Sequence, residues 1–92
     1  MSNLDNARKK INEIDQQIAS LFEERMHVSK EIAEYKKENG LPIFDPVREK
    51  EVIDRNSNLI KDETLREYYI PFQKGLMEVS KDYQRRVISD MK

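Results

Sequence analysis

One long helical seam near the N-terminus constrains this chain more than any other feature. Leu4, Ala7, Ile11, Ile14, Ile18, Leu21, Arg25, Val28, Ile32 and Tyr35 recur at alternating steps of three and four. That spacing keeps them on one side of an α-helix. No Gly or Pro interrupts the run, and Asn39-Gly40 followed by Pro42 supplies a stop. The first pair tolerates a left-handed turn, and proline cannot continue a helix. One helix from Leu4 to Glu38 is therefore expected. It would span roughly 50 Å, whereas a compact globule of this chain length has a radius of gyration of only about 12 Å. The seam outruns any core that one chain can build, and a second copy is the simplest cover for it.

The rest of the chain reads as two shorter helices. Asp45-Pro46 makes a good start, since Asp accepts backbone N–H bonds at a cap and Pro suits the first helical position. Val47, Val52, Ile53 and Ile60 give this helix a weak apolar face, and it ends within the polar stretch Asn56 to Asp62. Asp62 or Thr64 can open the third helix, whose apolar line is Leu65, Tyr69, Phe72, Leu76, Val79 and Tyr83. Pro71 lies within that line and either kinks the helix or marks its true start. With no strand signal, no internal repeat and 92 residues, the expectation is a single all-α domain over 1–92.

Composition removes several function classes. Charged residues make up 38% and hydrophobic ones 37%, a balance that suits long amphipathic helices, and the sustained periodicity argues against disorder. A net charge of -1 lacks the basic excess of a nucleic-acid binder. Cysteine is absent, which excludes thiol chemistry and disulfides. Met1 to Lys10 holds no apolar signal region, and no run approaches the length of a membrane span. A soluble cytoplasmic protein, without membrane or nucleic-acid partners, is the expectation.

Polar residues stand where the pattern wants apolar ones. Arg25 occupies the seam, Lys36 flanks it about 16 Å further along, and Arg8 flanks it near the other end. Taken singly, each cation can snorkel or pair with a carboxylate across a dimer. Taken together, and with Arg48, they suit a pocket for a dicarboxylate, because guanidinium groups grip carboxylates through paired hydrogen bonds. Arg8 and Arg25 lie roughly 25 Å apart along the helix, so both can reach one small ligand only if Arg8 comes from the other subunit. Asp45, Arg48 and Glu49 cluster in the first turn of the second helix. Capping and helix-dipole chemistry explain Asp45 and Glu49 but not Arg48, a cation at the wrong end. Ser80 and Gln84 form an i, i+4 pair beside the apolar line of the third helix.

Other signals are weaker. Glu24 and His27 have the Glu-x-x-His spacing of di-iron bundles, but His27 points roughly 130° from the seam and has no second His to join it. No metal site, nucleophile–base pair or Gly-rich phosphate loop is expected. An enzyme built from these residues works by binding, orientation and charge.

Arg8, Arg25, Lys36, Asp45, Arg48, Glu49, Ser80 and Gln84, in the runs ARKKINEIDQQIASLFEERMHVSKEIAEYK, PIFDPVREKEVIDR and YYIPFQKGLMEVSKDYQ, resemble the active-site set of the all-helical, type II (AroQ-class) chorismate mutases. The resemblance covers about Leu4 to Arg85, and no position of the set departs from the pattern. It implies an intertwined helical homodimer with two shared sites that rearranges chorismate to prephenate, in the biosynthesis of Phe and Tyr, without a cofactor. It also implies roles: Arg25 and the other chain's Arg8 on the substrate carboxylates, Arg48 and Ser80 at the ring carboxylate, Lys36 and Gln84 on the ether oxygen, and Glu49 with the backbone near Asp45 on the ring hydroxyl. Lys36, Gln84, Glu49 and Arg25 would be the catalytic residues. The rival readings are an isochorismate-pyruvate lyase on the same scaffold and a non-enzymatic helical dimerisation module. The chain length leaves no room for a fused dehydratase, dehydrogenase or regulatory domain, so a monofunctional protein is expected.

Overall fold

The computed structural model describes residues 2–91 and is all-helical among them. α1 runs Asn3–Glu38, α2 runs Pro46–Ser57, and α3 runs Arg66–Asp90 after a short 3-10 turn at Glu63–Leu65. The starts of α1, α2 and the 3-10 turn each have a local cause, whereas α3 opens at Arg66, not at Asp62 or Thr64, and has no side-chain cap. Ser2 accepts a hydrogen bond from the Asp5 amide at 3.1 Å, Asp45 accepts from the Arg48 amide at 3.0 Å, and Asp62 accepts from the Thr64 amide at 3.0 Å. α1 stops as its sequence requires. Gly40 takes φ 64, the Leu41 amide bonds back to the Lys36 carbonyl at 2.8 Å, and the Gly40 amide reaches the Lys37 carbonyl at 3.4 Å. This pair of bonds satisfies carbonyls the helix leaves open and needs a residue at ease with positive φ.

Pro71 does not start the third helix; α3 begins at Arg66 and runs through it. It costs α3 one backbone hydrogen bond, because proline has no N–H to donate.

The molecule is drawn out, 55 × 27 × 14 Å, with a radius of gyration of 16.6 Å. α3 packs along the C-terminal half of α1 and, less extensively, against α2. Its contact stripe is not the apolar one. The residues buried on α1 are Ser29 and Ala33, and those buried on α3 are Gln73, Met77, Ser80, Lys81 and Gln84. Small side chains on α1 let α3 approach, roughly a quarter-turn round the helix from the apolar seam. Ala33 and Met77 are the only buried hydrophobic residues described. Ile11, Ile14, Ile18, Leu21, Val28 and Ile32 remain 45–63% exposed, and Phe72 and Val79 of α3 are uncovered in the same way. No helix among the described residues is long and apolar enough to cross a membrane.

Candidate functional site

α3 lies against α1 through polar and small residues, and α2 closes a third side, which leaves a cleft of about 310 Å³. Seven of the eight residues singled out in the sequence line it: Arg25 and Lys36 from α1, Asp45, Arg48 and Glu49 from the start of α2, and Ser80 and Gln84 from α3. Arg8 does not. It is exposed on an early turn of α1, far from the cleft along the helix axis.

Each group is held by a specific contact. Arg25 donates to the Ser80 hydroxyl, which in turn donates to the Leu76 carbonyl at 2.9 Å. The serine therefore fixes the guanidinium from across the helix pair. Burial pulls the Arg25 pKa below its ordinary value, but a guanidinium stays charged throughout the working range of a protein. Lys36 donates to the Ile43 carbonyl at 3.0 Å. The turn at Gly40 folds the loop back so that this carbonyl can be reached, and two of the three ammonium protons remain for a ligand. Gln84 places its Nε2 3.0 Å from the Ser29 carbonyl. A carbonyl can only accept, so the amide nitrogen faces α1 and keeps a second N–H to donate. The carboxylate of Asp45 caps α2, so its part in the site is to seat the helix that carries Arg48 and Glu49. No carboxylate among the described residues forms an ion pair with Arg25, Lys36 or Arg48. Within the chain these cations are left available to an anion.

Sequence reading missed Ser29, Ile43 and Lys81, which also line the cleft. Ile43 acts through its backbone, which no side-chain pattern reveals. Lys81 left a faint signal: it stands four residues after Met77 and three before Gln84, on the buried stripe of α3. A stripe of Gln, Met, Ser, Lys and Gln does not register as a core face. His27, by contrast, is exposed, as its direction on the helix implied.

The profile of the family described as chorismate mutase type II matches residues 7–85. The chain belongs to the chorismate mutase type II family. It is 39% identical over 84 residues to the chorismate mutase of Methanocaldococcus jannaschii, a match covering 90% of this chain and 85% of that one. It is also 39% identical over 62 residues to a bifunctional chorismate mutase/prephenate dehydratase of Aquifex aeolicus, covering 67% of this chain and 17% of that longer protein. Among solved structures it is similar to a conserved hypothetical protein from Pyrococcus furiosus, with a TM-score of 0.71, 38% identity, and coverage of 91% of this chain and 97% of that one. Membership of this family makes the chain an isomerase of the chorismate mutase class.

A second and larger groove, about 870 Å³, lies between the apolar parts of α1 and α3. Ile18, Leu21, Phe22, Phe72, Leu76 and Tyr83 dominate its walls. Asp15, Glu23, Arg25 and His27 also border it, but its exposed surface is far more apolar than that of the first cleft. It marks the uncovered seam instead.

Proposed function

We propose that this chain rearranges chorismate to prephenate in aromatic amino-acid biosynthesis, in the cytoplasm, as a homodimer that completes each cleft with Arg8 of the second copy. The observation that carries the reading is the convergence of seven site residues from three helices on one cleft. Four cations line that cleft, Arg25, Lys36, Arg48 and Lys81, against two carboxylates, Asp45 and Glu49. The balance of +2 complements a dianion before Arg8 is added.

The reaction is a unimolecular bond rearrangement and needs neither a nucleophile nor a cofactor. Arg25, Arg48 and Ser80, with the second copy's Arg8, hold the two carboxylates and keep the enolpyruvyl side chain folded over the ring, which removes much of the entropic part of the barrier. As the C–O bond lengthens, negative charge grows on the ether oxygen. The free N–H groups of Lys36 and Gln84 stabilise that charge more in the transition state than in the ground state. Glu49 accepts from the ring hydroxyl and fixes the ring in register.

Support for the dimer comes from the apolar stripe. Covering the exposed half of each Leu, Ile or Val on it gains roughly 1 kcal/mol, and the stripe carries enough of them to hold two chains together. Chorismate added to the purified protein, without metal or nucleotide, tests the whole reading by ultraviolet absorbance and product assay. Prephenate is the expected product. Pyruvate would move the protein to the lyase reading, and no turnover in a folded dimer would return it to the helical interaction module.

A further inference from the structure

Lys81 is the one buried cation of the cleft that the reaction as described does not use. Its residue is only 7% exposed, yet it carries a full charge. Burying an ammonium is costly unless partners surround it. Three do. Glu49 of α2 lies 2.8 Å from its Nζ, Glu78 one turn back on α3 lies 2.7 Å away, and the Phe44 ring centroid sits 4.5 Å from the same nitrogen. Both carboxylates favour the charged ammonium and raise its pKa above the ordinary lysine value, the Glu49 hydrogen bond most of all.

The partners are unequal. The Glu78 side chain is 63% exposed and adds little beyond keeping the ammonium charged, as surface ion pairs do. The Glu49 side chain is 25% exposed and faces the cleft. Phe44 belongs to the loop that delivers the Asp45 cap of α2. Lys81 therefore joins α3 to the two things that decide where Glu49 stands: its carboxylate and the segment leading into its helix.

From this geometry we infer that Lys81 is a positioning residue that aims the Glu49 carboxylate at the substrate hydroxyl and offsets its charge against the incoming dianion. It rests on the reading of Glu49 given above. Three surrounding groups occupy the ammonium, so it acts through Glu49 and does not itself grip substrate. Without it, a carboxylate in a cleft built for anions repels the ligand and is free to turn away.

A double-mutant cycle in the full-length protein tests this, with Lys81→Met, Lys81→Arg, Glu49→Gln and the pair Lys81→Met/Glu49→Gln, each checked for helicity and oligomeric state. Lys81→Met keeps the aliphatic stem and removes only the charge. It should lower kcat/KM roughly tenfold, mainly through KM, as loss of binding shared by ground and transition states does. Lys81→Arg, which can still pair both carboxylates, should restore most of that loss. In the Glu49→Gln background, Lys81→Met should cost less than about twofold, because residues acting as one unit are not additive. Equal Lys81→Met losses in both backgrounds, or no loss in the parent, would overturn the inference while leaving the Glu49 role intact. Full activity of Glu49→Gln would overturn the Glu49 reading itself, and the inference with it. If Lys81→Met does not fold, Lys81→Gln, also uncharged, takes its place in the same cycle.

Discussion

Two stripes run side by side along α1 and α3, and they follow opposite rules. The inner stripe, where the helices of one chain meet, is polar: Ser29 faces Gln84, Arg25 meets Ser80, and Lys81 reaches across to Glu49. The outer stripe is apolar and uncovered, from Ile11 and Ile14 through Leu21 to Val28 and Ile32. In an ordinary small domain the apolar stripe would make the intrachain core. Here the chain spends its own packing on the site and leaves its hydrophobic surface for something else. A polar site built inside one chain can be precise only if a separate source of stability holds the helices, and the outer stripe is where that stability is available.

The hardest test of this division is Ile18→Glu on the outer stripe. A residue facing solvent would tolerate it within about 0.5 kcal/mol. In an interface it would bury a carboxylate in each protomer at a cost on the order of 3 kcal/mol. The expected result is a loss of the dimer and of activity together, measured by sedimentation and turnover; an active, dimeric variant would break the comparison. Lys36→Ala on the inner stripe should do the reverse, lowering kcat by roughly 10²–10³ while helicity and assembly stay unchanged. Mixing Arg8→Ala with Arg25→Ala sharpens the link between the stripes. If each cleft takes Arg8 from the other chain, random reassembly should restore roughly a quarter of parental activity, since half the dimers are mixed and each has one intact site. No recovery on mixing would place both arginines in the same chain's site or remove Arg8 from it.

Smaller effects separate scaffolding from chemistry. Asp45→Ala removes the cap of α2 and should cost about 1 kcal/mol, seen as a lowered unfolding midpoint, with a loss of activity through displaced Arg48 and Glu49. Asp45→Asn, which can still cap, should recover most of both. The smallest effect lies outside both stripes. The Thr64 hydroxyl and amide hold the Asp62 carboxyl below its ordinary range. A folded pKa below the unfolded one means its contribution is present above the ordinary carboxyl range and fades as pH falls through the folded value. Asp62→Asn should therefore lower the unfolding midpoint slightly near neutrality and leave it unchanged in strong acid, which flattens the acid limb of the stability profile, as read from unfolding midpoints across pH.

Two helix ends were legible because each rests on a local rule: Asn39-Gly40 for the stop of α1 and Asp45-Pro46 for the start of α2. The end of α2 was bounded only to Asn56 to Asp62, and Asp62 opens the 3-10 turn where the sequence offered it as a start of the third helix. Pro71 was ambiguous because its cost is one backbone bond, which the surrounding helix can absorb; local rules do not weigh that against packing. The inner stripe was only partly legible. Arg25 stood out because it broke an apolar pattern, and Ser80 and Gln84 because of their spacing and their likeness to a known family. Lys81 did not stand out, because a lysine on a helix is ordinarily a solvated residue.

The sequence by itself determined that the chain is helical, where α1 stops and α2 starts, which face of α1 is apolar and that Arg25 interrupts it, since helical period, caps and breakers act over a few residues. Only the tertiary structure decided that α3 docks beside the apolar seam and not on it, that Lys36 is steered by the Ile43 carbonyl, and that Lys81 lies buried against Glu49. Those outcomes depend on the angle at which one helix meets another, and that angle is set by which side chains fit between them, a relation among residues far apart in the chain.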